Sequence, residues 1–140
     1  MDIFTTFATD ESKEEDGVVV FLNSGNDPAA DPWIRVARNG NSAYGKAVAT
    51  GYEKLQGEKK LLRLSEADME IRSKNLMIDV LATTILKDFG NLTFQGTPLT
   101  PSHESKLQLL RVKDFRELVA TKSADVELFR IEQVQAAAGN

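Results

Sequence analysis

In the stretch RNGNSAYGKAVATG, residues 38–51, Gly40, Gly45 and Lys46 stand at the spacing of a phosphate-cradling loop, G-x-x-x-x-G-K-[ST]. In such a loop backbone N–H groups surround the phosphates, the lysine reaches the outer ones, and a hydroxyl after the lysine holds magnesium. Ala47 stands where that hydroxyl belongs. The loop also needs a parallel sheet and a second strand ending in an acidic residue. The one acidic candidate, Asp79 in LMIDV, falls inside a helical apolar periodicity. A strand-to-helix turn with ordinary glycines therefore accounts for residues 38–51 better than nucleotide binding through Lys46.

Other residue clusters invite chemistry and lose it on inspection. Asp88-Phe89-Gly90 copies the metal-binding triplet of protein kinases, but the catalytic loop, strand lysine and glycine-rich lid that must accompany it are missing, and it reads as a helix terminus. His103 is the single histidine and there is no cysteine, so a transition-metal site lacks ligands; His103 is expected on the surface of a first helical turn. Residues 10–16 hold five carboxylates and one lysine, yet the glycine that a calcium loop wants at its sixth place is Glu15, so a solvated loop is expected. No catalytic residue, cofactor site or metal site is expected, and the protein is read as a non-enzyme.

The elements that carry these residues follow from composition and periodicity. At 140 residues, with 41% hydrophobic and 27% charged side chains, the chain is read as a single domain over residues 1–140. A net charge of -4 disfavours nucleic acid and anionic membrane as partners and favours protein. Residues 1–7 are short and aromatic. VVVFL (residues 18–22) is β-branched and bounded by turns, and WIRVAR alternates with Ile34 and Val36 on one side; together they predict an antiparallel β-ribbon within residues 1–38.

Residues 41–135 are expected to be helical. Asn41 or Ser42 caps a helix with Tyr44, Val48, Tyr52 and Leu55 at helical spacing, weakened by Gly45 and Gly51. Ser65, with Asp68 three residues on, opens a second helix in which Met69, Leu76, Met77, Val80, Leu81 and Ile85 follow the helical rule. It is expected to run about 22 residues, about 33 Å, and to stop at a left-handed Gly90. A polar turn or small hairpin around Gln95-Gly96 and a short helix starting at Thr100-Pro101, carrying Leu107, Leu109 and Leu110, come next. KDFRELVATKSADVELFRIEQVQ is read as one final helix, with Phe115, Leu118, Val119, Val126 and Phe129 on one side and Leu128, Ile131 and Val134 off that stripe. The fold class is α+β: mainly helical, with a small N-terminal antiparallel β-ribbon packed on three to four helices.

The strand-turn-helix IRVARNGNSAYGKAV resembles the N-terminal portion of tail assembly chaperones of long-tailed bacteriophages, through Ala37, Arg38, Gly40, Asn41, Tyr44 and Lys46. The second half is similar to the same family at Phe89, Gly90, Pro98, Thr100, Leu109, Leu110, Phe115, Val119, Asp125 and Phe129, where relatives often carry tryptophan in place of Phe89. The likeness spans most of residues 18–132 and rests on structural residues.

What the resemblance implies is binding without catalysis. Such proteins hold the tape-measure protein soluble and extended during tail assembly and help recruit tail-tube subunits. They tend to self-associate, and many also exist as a longer, frameshifted form whose extension addresses the tube protein; this chain would correspond to the short form. The expected location is the host cytoplasm, with absence from the mature virion. A structural virion protein such as a head-tail connector subunit, or a small nucleotide-binding protein, are the alternatives. A chaperone for a long helical chain needs apolar grooves and a charged exterior. The multi-faced last helix nominates Leu118, Phe129 and Ile131 as contact residues, with core packing as the competing fate of each.

Overall fold

The computed structural model describes residues 1–131. Helix makes up 57% of the described residues and the strands form a small antiparallel sheet, so the architecture is α+β and mainly helical, as the periodicities predict. In chain order the elements are α1 (Ile3–Phe7), α2 (Glu11–Asp16), β1 (Val18–Phe21), β2 (Trp33–Val36), α3 (Ser42–Leu62) and α4 (Glu66–Thr84). Then follow β3 (Leu86–Gly90), the short pair β4 (Thr93–Phe94) and β5 (Thr97–Pro98), α5 (His103–Leu110), α6 (Lys113–Ala124) and a 3-10 turn (Val126–Phe129).

The sheet is ordered β1-β2-β3, antiparallel throughout. Val18 faces Val36 and Val20 faces Ile34 across the ribbon that the alternating pattern predicts, and on its other side Ile34 faces Phe89. The core cluster joins Ile34 and Val36 of the sheet to Ile78, Leu81, Ala82, Ile85, Leu86 and Phe89, and to Leu109, Leu110 and Val119 of the last two helices.

The third strand corrects the expected 22-residue helix. α4 has 19 residues and ends at Thr84. The apolar spacing of Leu81, Ile85 and Phe89 suits either a helix or a turn into a strand, and periodicity alone cannot choose between them. The open edge of β2 chooses: its backbone groups need partners, and Leu86–Gly90 supplies them. Thr83 and Thr84 also loosen the last turn, each hydroxyl donating back to the carbonyl four residues earlier, at 2.8 and 2.7 Å. Gly90 is thus no helix cap. It faces Trp33 across the ladder, where a Cβ would lie 2.3 Å from the indole Nε1. With β3 drawn from residues 86–90, the sheet does not stop at residue 38, and the region from 41 onward is not helical throughout.

Three smaller corrections follow the same logic. The acidic run is a short helix, α2, because Asp10 caps it by accepting from Ser12 N–H and Lys13 N–H. α5 starts at His103, two residues beyond the Thr100-Pro101 pair; Ser102 and Ser105 cap each other's backbone and the Ser105 hydroxyl donates to Thr100 O. The expected single last helix is broken at Asp125, which adopts an extended conformation and accepts from Glu127 N–H to start the 3-10 turn. Val134 lies outside the described residues.

Other expectations match the structure. Asn41 caps α3 by accepting from Tyr44 N–H, Ser65 and Asp68 form a reciprocal box on α4, and Gln95 and Gly96 both have positive φ, as a tight hairpin turn demands.

Candidate protein-docking surfaces

Residues 38–47 make a joint between sheet and helix. Ala37 is fully buried and its N–H donates to Ile85 O at 2.9 Å; Arg38 pairs with Glu14 at 3.0 Å; Gly40 takes φ 85°. Asn41, 5% exposed, donates from its amide to Arg38 O (2.9 Å) and Thr84 O (3.3 Å) while its Oδ1 takes the Tyr44 N–H. One side chain thereby ties the start of α3 to the end of α4. The Tyr44 amide in the first turn of the helix is occupied and β2 runs antiparallel to both neighbours, so the parallel strand-loop-helix unit that a phosphate loop needs is not built here. Lys46 is exposed on α3. Asp79 sits on α4 with its carboxylate 3.4 Å from His103 Nε2, and both side chains are largely exposed.

Among the described residues no group of three or more His, Cys, Asp or Glu side chains is arranged to hold a metal ion, and no helix is long and apolar enough to cross a membrane. Lys106 donates to Lys87 O at 2.9 Å and ties α5 to β3. Burial holds its ammonium below the usual lysine range, with Asp88 pulling the other way and Lys87 adding to the depression.

The structure separates the three nominated contact residues. Phe129 is fully buried, Leu118 is half-buried on α6, and Ile131 is 39% exposed. Phe129 therefore belongs to the interior, where the 3-10 turn lies against α2. Ile131 belongs to a surface that periodicity did not single out. Its N–H donates to Ala8 O at 3.4 Å, directly after α1, whose Ile3, Phe4 and Phe7 are 65%, 70% and 53% exposed. Polar contacts clamp this arm to the far end of the described chain: Asp10 N–H donates to Phe129 O (2.7 Å), Lys13 Nζ to Arg130 O (3.1 Å), and Arg130 Nη1 to Phe7 O (2.6 Å). The Arg130 guanidinium also lies over the Phe7 ring, 6.0 Å from its centre. Ile3, Phe4 and Phe7 of α1 and Ile131 are thus exposed apolar side chains carried on two segments that hydrogen bonds hold together.

A second exposed region lies at the far end of the α3-α4 hairpin, where Leu61, Leu62 and Ile71 are 82%, 54% and 61% exposed. Below it, between the two helices, a cleft of about 280 Å³ is lined by Gly51, Lys54, Leu55, Glu58, Arg72, Asn75 and Leu76 and crossed by a Glu58-Arg72 ion pair at 2.8 Å. Gly51, which weakens α3 as a helix, lets α4 approach: a Cβ there would meet Leu76 Cδ1 at 2.3 Å.

Comparison with known protein families, with curated proteins and with solved structures finds no match to this chain.

Proposed function

We propose that this protein is a tail assembly chaperone of a long-tailed bacteriophage, binding the tape-measure protein and helping tail-tube subunits to gather around it. The observation that carries this reading is the set of exposed apolar side chains, Ile3, Phe4, Phe7 and Ile131, held on a polar clamp. A long helical client with apolar stripes aggregates when those stripes face water. A small acidic protein that offers aromatic side chains to such a stripe, and carries a net charge of -4 outward, keeps the pair in solution. The resemblance at residues 37–46 and 89–129 supplies the identity of the client; the physical chemistry supplies the surface.

Co-expression with the tape-measure protein of the same genome tests it. The client is expected to become soluble and to co-purify with the wild-type chain. The double variant Phe4→Asp with Phe7→Asp gives up the Arg130-Phe7 ring contact but keeps the hydrogen bond to Phe7 O, so it is expected to melt within a few degrees of wild type and to lose the rescue. Undiminished rescue by that folded variant removes α1 from the contact, and failure of the wild type to solubilise the client overturns the function. Mass spectrometry of purified virions is expected to lack the protein; finding it there in stoichiometric amount assigns it a structural role instead.

A further inference from the structure

The far end of the α3-α4 hairpin is built like an interface. Leu55 on α3 is 5% exposed, and Leu62, one heptad further out, is 54% exposed; Ile78 on α4 is 4% exposed, and Ile71, one heptad further out, is 61% exposed. On both helices the buried stripe thus continues outward for two turns into positions that are more than half exposed among the described residues. Leu61, 82% exposed, adds to the same end.

Charge is divided between the two helices there. α3 closes on Lys59, Lys60 and Arg63, with no carboxylate among residues 59–63; α4 opens on Glu66, Asp68 and Glu70, with no cation among residues 66–70. The helix dipoles favour this placement within one chain, but they give no reason for the leucines and isoleucine beside it. A tip that is basic at the end of one helix and acidic at the start of its neighbour, with exposed apolar side chains on both, is complementary to its own two-fold copy.

We infer that the hairpin tips of two copies of this chain pack side by side about a two-fold axis, α3 of each copy lying against the start of α4 of the other. Leu61, Leu62 and Ile71 fill the middle of that contact, and Lys59, Lys60 and Arg63 meet Glu66, Asp68 and Glu70 across it on both sides. The chain cannot cover the tip with its own apolar arm. Glu15, in α2 after that arm, contacts Ser42 at the base of α3, and Leu62 is the last of the 21 residues of that helix, a span of about 30 Å. An anionic lipid surface suits the tip poorly, because the acidic start of α4 would face it. The inference rests on the hairpin alone, and the client test above uses Phe4 and Phe7, so either can fail while the other stands.

Sedimentation of the full chain, at low and high salt, tests it through a charge exchange. Wild type is expected to dimerise and to weaken as salt rises. Lys59→Glu with Lys60→Glu makes both helices acidic at the tip, Glu66→Lys with Glu70→Lys makes both basic, and each variant alone is expected to self-associate about tenfold more weakly or worse. Mixed in equal amounts, the two are expected to form a one-to-one heterodimer, because both cross-contacts are attractive again. Should a double variant lose helix content, the single changes Lys60→Glu and Glu70→Lys carry the same exchange, and Leu61→Asp with Leu62→Asp is expected to be monomeric. A wild type that stays monomeric up to about 1 mM, where only associations weaker than about 4 kcal/mol escape detection, overturns the dimer. So do oligomers indifferent to every one of these changes, or folded charge variants whose mixture associates no better than either alone. A monomer whose tip gains protection from hydrogen exchange only with the tape-measure protein present assigns the surface to that client and likewise overturns the second copy.

Discussion

Gly90 and Asn41 show how single residues here are explained by what touches them. Gly90 is glycine because the Trp33 indole lies across it, with three ring atoms 2.3 to 2.7 Å from where a Cβ would be. An indole ring cannot yield as the end of a flexible chain can, so Gly90→Ala is expected to lower stability by about 1–3 kcal/mol in urea denaturation. Gly57, in the exposed part of α3, has nothing within 4 Å of the corresponding point. Gly57→Ala is expected to raise stability by up to about 1 kcal/mol, since only helix propensity changes. Equal effects of the two substitutions would refute the steric account of Gly90. Asn41 was legible as a cap from its type and position, but its bond to Thr84 O joins residues 43 apart in sequence, and no local pattern announces such a partner.

At the scale of elements, α6 and the 3-10 turn divide the work that one long helix was expected to do. Phe129 turns inward to full burial, while Ile131, two residues on, stays 39% exposed. Phe129→Ala is expected to remove about 3–5 kcal/mol by opening a cavity, and Ile131→Ala to change stability by no more than about 0.5 kcal/mol. Similar melting temperatures for the two variants would contradict the break at Asp125. The break explains why the contact surface was only partly legible. Helical spacing grouped Phe129 with Leu118, whereas the actual neighbours of Ile131 are Ala8 and the α1 arm, at the other end of the chain. Ser65 and Asp68 were read correctly as a cap, and Asn41 as one of two candidates with Ser42, because a cap bonds within three residues of itself.

The whole molecule is a core with a long hairpin standing on it. β2, β3 and the second half of α4 supply most of the buried cluster, whereas α3 packs chiefly on α4 and buries only Leu55 among its apolar residues. Segments with few buried contacts open locally at lower free energy than the core. Amide exchange measured at low protein concentration is therefore expected to be fast through the outer half of α3, and slow enough in β2, β3 and residues 78–84 to need global unfolding. Uniform protection along α3 at that concentration would show that the hairpin is not the loosely held part. The same distribution leaves Leu61, Leu62 and Ile71, at the far end of the α3-α4 hairpin, more than half exposed.

The amino-acid sequence by itself determined the mainly helical α+β class, the β1-β2 ribbon, the starts of α3 and α4 and the hairpin turn at Gln95-Gly96, because propensity, capping and turn chemistry act over a few neighbouring residues. Only the tertiary structure decided that Leu86–Gly90 is a strand, that Phe129 is buried and Phe4 exposed, and that the apolar stripes of α3 and α4 outrun the core. These outcomes depend on which backbone edge needs a partner and where the packed interior ends, and both are set by contacts between residues far apart in the chain.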